Sequence, residues 1–232
     1  MPRYFMRDTP LRPMERMMMS QPGHKPRGGG MYRSPFYYTP KDVECEYCQS
    51  YDRKNPCLLC ECICLEERIE AGVLELNMFV RDCFAYSMEP QLQERMQQQF
   101  RGRNSCFFLS DTHRRRWTHW RELCWRLSDR NKAAIYLLTA YESLWHRMIW
   151  KCGNDGCDFQ AVYLRGIKPE LYSVYQAAKA IAVGSSNITL AELAAPELVT
   201  DEAFQLIICA LLMAKYGDVV LNLENGAVKE GN

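Results

Sequence analysis

Six of the chain's twelve cysteines fall within CEYCQSYDRKNPCLLCECIC, residues 45–64, and no other stretch restricts the fold as tightly. So many thiols interrupt any continuous apolar stripe, so the segment needs something besides a hydrophobic core to hold it. Cys45-x2-Cys48 and Cys57-x2-Cys60 form two pairs separated by eight residues. Each CxxC turn can aim two sulfurs at one ion, and the polar loop Asp52, Arg53, Lys54, Asn55 and Pro56 lets the pairs meet. The spacing predicts a closed tetrahedral thiolate site, for zinc first and an iron–sulfur cluster second. Cys62 and Cys64 are alternative ligands, because the run Cys57, Cys60, Cys62, Cys64 offers several registers. Four protein ligands leave no place for a catalytic water. A redox CxxC usually follows a strand, and nothing before Cys45 reads as one.

Compartment bears on that reading. No apolar run of signal-peptide length precedes the first cysteines, and no stretch of about eighteen uncharged apolar residues occurs, so neither export nor a membrane span is expected. The expectation is a reducing cytoplasm, where clustered cysteines bind metal more often than they form structural disulfides. Cys152-x4-Cys157 encloses Gly-Asn-Asp-Gly; it is expected to be two unrelated cysteines around a loop, with a second metal site as the alternative. Cys83, Cys106, Cys124 and Cys209 lie in apolar contexts and are expected in the core.

Net charge is +1, which selects no partner, but the charges are segregated. Residues 1–42 carry eight Lys/Arg against three Asp/Glu, 43–94 four against eleven, 95–132 ten against three, and 186–232 two against seven. Residues 1–42 also hold seven prolines and seven methionines, a composition that reads as a disordered basic tail. The alternation suggests basic surfaces able to meet a polyanion or an acidic protein face.

Beyond the cysteines the periodicity is helical. Residues 66–105 read as a helical connector: Leu65, Ile69 and Val73 share a face, Gly72 is a break, and 91–99 is a polar helix or loop. An α-helical domain is expected over 106–223, with 224–232 a disordered tail. Ser110 or Asp111 caps a helix striped by Trp117, Trp120, Cys124 and Leu127, and Ser128 or Asp129 caps a long buried helix over 129–151. Further helices are expected over 170–183 and 201–216, the last capped near Thr200 and closed by Gly217. Only 219–223 reads as strand-like. The fold class expected is mainly α, with a small zinc-knuckle-like module and a disordered N-terminal tail.

In THRRRWTHWRELCWRLSDRNK, residues 112–132, Arg114, Arg115, Arg116, Arg121, Arg126 and Arg130 interleave with tryptophans. Guanidinium groups grip phosphate and indoles stack on bases, so the helix is a candidate nucleic-acid surface. The alternative is ordinary amphipathicity, with arginines in solvent or paired within the chain. His113 and His119 are six residues apart, the wrong spacing for neighbouring ligands on one helical face. No Ser–His–Asp pattern, phosphate loop, dinucleotide fingerprint or HExxH occurs.

FFLSDTHRRRW (107–117), RNKAAIYLLTA (130–140) and LRGIKPELYSVYQ (164–176) together resemble a family of unknown function carried by phages and integrative elements of gut Firmicutes. The likeness spans roughly residues 106–216, and the cysteine cluster followed by LEERIEAG resembles small cysteine-rich frames of the same elements. The chain departs from the pattern in a longer loop between Trp150 and Gly166, which carries Cys152 and Cys157. The resemblance implies an accessory protein of a mobile element, a kind that often binds nucleic acid or antagonises host defence. The expectation is therefore a non-enzymatic zinc protein that binds nucleic acid or a nucleoprotein complex through arginine-rich surfaces. The alternatives are an anti-CRISPR-like antagonist of a host defence complex, and a metal-dependent enzyme using His113, His119 or His146.

Overall fold

The computed structural model describes residues 10–11, 13–14, 17, 38–54, 57–84, 90–103, 105–123, 127–160, 162–185 and 187–222. The chain divides into Met1–Tyr38 and Thr39–Asn232. Most of the expected basic tail lies outside the described residues, as do the C-terminal tail 224–232, Cys124, Trp125 and Arg126.

Within Thr39–Asn232 the described residues form nine α-helices. They are α1 Leu65–Glu70, α2 Leu76–Cys83, α3 Pro90–Phe100, α4 Asp111–Leu123, α5 Asp129–Thr139, α6 Glu142–Met148, α7 Pro169–Val183, α8 Leu190–Ala194 and α9 Asp201–Tyr216. One short antiparallel hairpin, β1 Cys152–Gly153 with β2 Gly156–Cys157, follows α6. The fold is mainly α, and among the described residues no helix is long and apolar enough to cross a membrane.

Two helices are apolar nearly all round and occupy the centre, as such helices must. Residues 133–139 of α5 and 203–210 of α9 are buried without a break. The same buried cluster takes in Leu59, Leu74, Phe79, Phe100, Trp117, Val174 and Val220, so the chain after the cysteine segment packs onto the α5–α9 centre. Side-chain oxygens start several helices. Ser110 accepts from the His113 amide at 3.1 Å, Ser128 from Asn131 at 3.3 Å and Thr200 from Ala203 at 3.3 Å. Thr189 and Glu192 form a reciprocal capping box at α8. Each cap satisfies an amide that helix geometry leaves without a partner.

The expected 129–151 helix is divided: α5 stops at Thr139, and Tyr141 is extended at the start of α6. The Thr139 hydroxyl donates back to the carbonyls of Ile135 at 2.8 Å and Tyr136 at 3.0 Å, and Arg116 Nη1 donates to the Thr139 carbonyl at 3.4 Å. The helix end is thus held by its own threonine and by an arginine from α4. The polar 91–99 stretch is a helix with a buried face of Leu92, Met96 and Phe100. Residues 218–222 are a 3-10 turn with Val220 buried, not a strand.

Arg95 on that face is buried, at 6% exposure. It donates to the Leu193 carbonyl at 2.8 Å, to the Val199 carbonyl, and to Asp201 at 2.9 Å, with its guanidinium 4.5 Å over the Phe204 ring. A buried cation needs partners, and this set, which leaves only the buried Nε without one among the described residues, ties α3 to α8 and to the start of α9.

Candidate metal centre and basic face

The cysteine segment is built from tight turns. Cys45–Tyr47 is a 3-10 turn closed by the Cys48 amide donating to the Cys45 carbonyl at 3.0 Å, and Leu59–Glu61 is a second, closed by Cys62 donating to Leu59 at 3.2 Å. Buried Leu59 anchors the second turn in the core, and Cys64 stands at the entrance to α1. Short turns with a thiol at their ends are what a thiolate site requires.

The thiols fall into two neighbourhoods. Cys64 hydrogen-bonds Cys48, and its pKa is pushed up to about 12, by burial first and then by Cys48, Glu67 and Cys62. Desolvation, then the neighbouring Cys62, Cys45 and Cys48, raises the Cys57 thiol. Arg68 Nη1 lies 3.6 Å from the Cys62 sulfur. Cys45, Cys48, Cys57, Cys62 and Cys64 therefore share one electrostatic neighbourhood. Cys60 is in range of Cys83 and Tyr216, which hydrogen-bond each other at 3.2 Å where α2 meets the end of α9. Among the described residues no three Cys, His, Asp or Glu side chains converge closely enough to hold a metal as they stand. The donors nevertheless have the soft chemistry that zinc prefers.

Cys152 and Cys157 are neither independent nor a thiolate pair: they are joined by a disulfide. The β1–β2 register makes them direct cross-strand partners, with Cα atoms 4.0 Å apart, a juxtaposition that x4 spacing alone does not reveal. Cys106 and Cys209 are buried together as expected. The Cys106 thiol donates to the Val220 carbonyl at 3.3 Å, and Cys209 takes the Phe107 amide at 3.4 Å; contact between the two sulfurs, with burial, pushes Cys106 up, and it draws Cys209 down. Cys83 is half-buried against the core.

The arginines of α4 and α5 separate by partner. Arg116 is 3.4 Å from Glu142 as well as capping α5. Arg121 is 3.6 Å from Asp218 and lies over Trp117. Arg130 Nε donates to the Ile181 carbonyl at 2.9 Å, near the end of α7. These three hold helices together. Arg114 and Arg115 are exposed; Arg114 stacks 4.6 Å over Phe108, and among the described residues neither has an acidic partner. Trp117 is buried and Trp120 is half-buried edge-on to Trp145, 5.1 Å between centroids.

The histidines do not gather. His113 is fully buried: Nδ1 accepts the Leu109 amide at 3.2 Å and Nε2 lies 2.8 Å from the Tyr136 carbonyl. Those roles require the neutral imidazole protonated on Nε2. Burial, with Arg116 and Arg114 adding to it, lowers its pKa to about 4. His119 is exposed on α4. His146 is exposed on α6, 3.8 Å from Glu142, at an open cleft of about 550 Å³ with Tyr141, Ser143, Lys168, Glu170 and Leu171. No protein-family model, curated protein or solved structure matches the chain.

Proposed function

We propose that this chain is a non-enzymatic binding protein in which a zinc ion fixes the cysteine segment and arginine side chains contact a nucleic acid. The exposure of Arg114 and Arg115 on α4, with no acidic partner among the described residues, carries the nucleic-acid reading. A guanidinium without a carboxylate is available to phosphate, whereas Arg116, Arg121 and Arg130 are committed to the fold. Zinc would be held by four thiolates, Cys45, Cys48, Cys57 and Cys60, with Cys62 or Cys64 as alternatives, and would bring no open coordination position. The sequestered, neutral His113 favours binding over catalysis. A role as an accessory protein of a mobile element is part of the same proposal, whether the target is free nucleic acid or a host nucleoprotein complex.

Electrophoretic shifts on single- and double-stranded DNA and RNA test this. Retardation at about 50 mM salt that weakens steeply by about 200 mM is expected from phosphate contacts. No retardation at low salt refutes it. A complex captured from lysate that survives nuclease treatment would place the contact on protein instead.

A further inference from the structure

Trp150 and Tyr163 are 89% and 69% exposed, an unusual state for two large aromatics on one part of a surface. Both are held out by ordered backbone. After α6, the 3-10 turn Ile149–Lys151 packs Ile149 against the core and leaves Trp150 in solvent. Residues 162–165 alternate: Val162 and Leu164 pack on the core while Tyr163 and Arg165 face outward, the pattern of an extended segment with one face buried. Arg147, one helical turn before Trp150, donates through Nη1 to the carbonyls of Tyr163 at 2.7 Å and Arg165 at 3.3 Å. These two hydrogen bonds pin the Tyr163 segment beside the turn that carries Trp150. On the other side the Cys152–Cys157 disulfide and the Asp158 amide, donating to the Lys151 carbonyl at 2.8 Å, fix the chain that follows. Trp150 and Lys151 edge a hollow of about 460 Å³ against this hairpin.

The charge around the aromatics is mostly positive. Residues 147–168 hold four Lys/Arg against two Asp. Lys151, Arg165 and Lys168 are exposed, Lys168 at 3.9 Å from Glu170. Of the two acids, Asp158 accepts the Gln160 amide at 2.9 Å and Asp155 sits at the hairpin tip.

We infer that Trp150 and Tyr163 form a base-stacking platform for single-stranded nucleic acid, with Lys151 and Arg165 following its phosphates. This rests on the reading that the chain binds nucleic acid, but it puts the contact on residues outside α4. An exposed indole stacks only on a base that is already unpaired, and it does so with little regard to sequence. Rigid support reduces the ordering cost of binding.

Fluorescence anisotropy of labelled oligo-dT and of a matched duplex, with the full-length chain, tests the assignment. Trp150→Ala and Tyr163→Ala, at exposed positions that should leave thermal melts unchanged, are expected each to weaken oligo-dT binding by about 5- to 150-fold. Duplex binding should change far less. Wild-type affinity for oligo-dT in the double variant, with loss in Arg114→Ala/Arg115→Ala, overturns the platform and leaves the nucleic-acid reading standing. No binding of any nucleic acid by the wild type overturns both. Trp150-dependent self-association in sedimentation, without oligo-dT binding, overturns the platform in favour of a second copy of the chain.

Discussion

His113 gives the chain a pH-dependent stability whose size follows from its surroundings. In the unfolded chain an imidazole takes a proton near pH 6.5, while in the fold it resists until about pH 4 because burial disfavours the cation, with Arg116 and Arg114 beside it. Between those values the unfolded state binds more protons, so stability falls as pH is lowered. The contribution is complete above about pH 6.5 and exhausted below about pH 4. The gap between those values corresponds to roughly 3 kcal/mol, most of which should be gone by pH 4.5. His113→Gln can still accept from Leu109 and donate to Tyr136 but does not titrate. Urea unfolding of both proteins from pH 7.5 to 4.5, followed by circular dichroism, isolates the term, since the carboxylates and thiols are common to both. Wild type should be the more stable at pH 7.5, and its advantage should shrink by about that amount. An advantage independent of pH, or an NMR titration of His113 near pH 6.5, would refute the buried, neutral assignment.

Three further outcomes test the packing. Arg95→Met leaves the Leu193 and Val199 carbonyls buried without a donor, and should cost about 3–5 kcal/mol in chemical denaturation and loosen α8 to proteolysis. Arg116→Ala should lower the melting temperature by removing the α5 cap and the Glu142 pair, while Arg115→Ala should leave the melt unchanged and weaken nucleic-acid binding; the reverse order would exchange their roles. Replacing Cys152 and Cys157 by alanine removes a closure across a separation of five residues, worth about 2 kcal/mol by loop entropy, and should lower the melting temperature by several degrees.

Much of the helical architecture was legible because it is local. Ser128 and Thr200 are cap residues at the turns where the apolar runs of α5 and α9 begin, and Gly72 divides α1 from α2 with φ of 69°, a backbone that glycine adopts without cost. The break after Thr139 was not legible, because it depends on Arg116 arriving from another helix. Arg95 read as part of a polar stretch, since nothing nearby in sequence announces carbonyls about a hundred residues downstream. At the candidate sites, spacing identified the cysteine segment but not the different surroundings of Cys60, which follow from α2 and the end of α9. The six α4–α5 arginines looked equivalent in sequence; the acids and carbonyls that engage three of them are supplied by distant segments. Trp150 and Tyr163 were missed because they lie thirteen positions apart in sequence, and the Arg147 bonds that bring their segments together are not visible there.

If the cysteine segment is a metal centre, the purified full-length chain carries the metal, and elemental analysis tests that directly. About one zinc per chain is predicted, lost in Cys45→Ser/Cys48→Ser. A wild-type chain purified under reducing conditions and free of zinc and iron would contradict it.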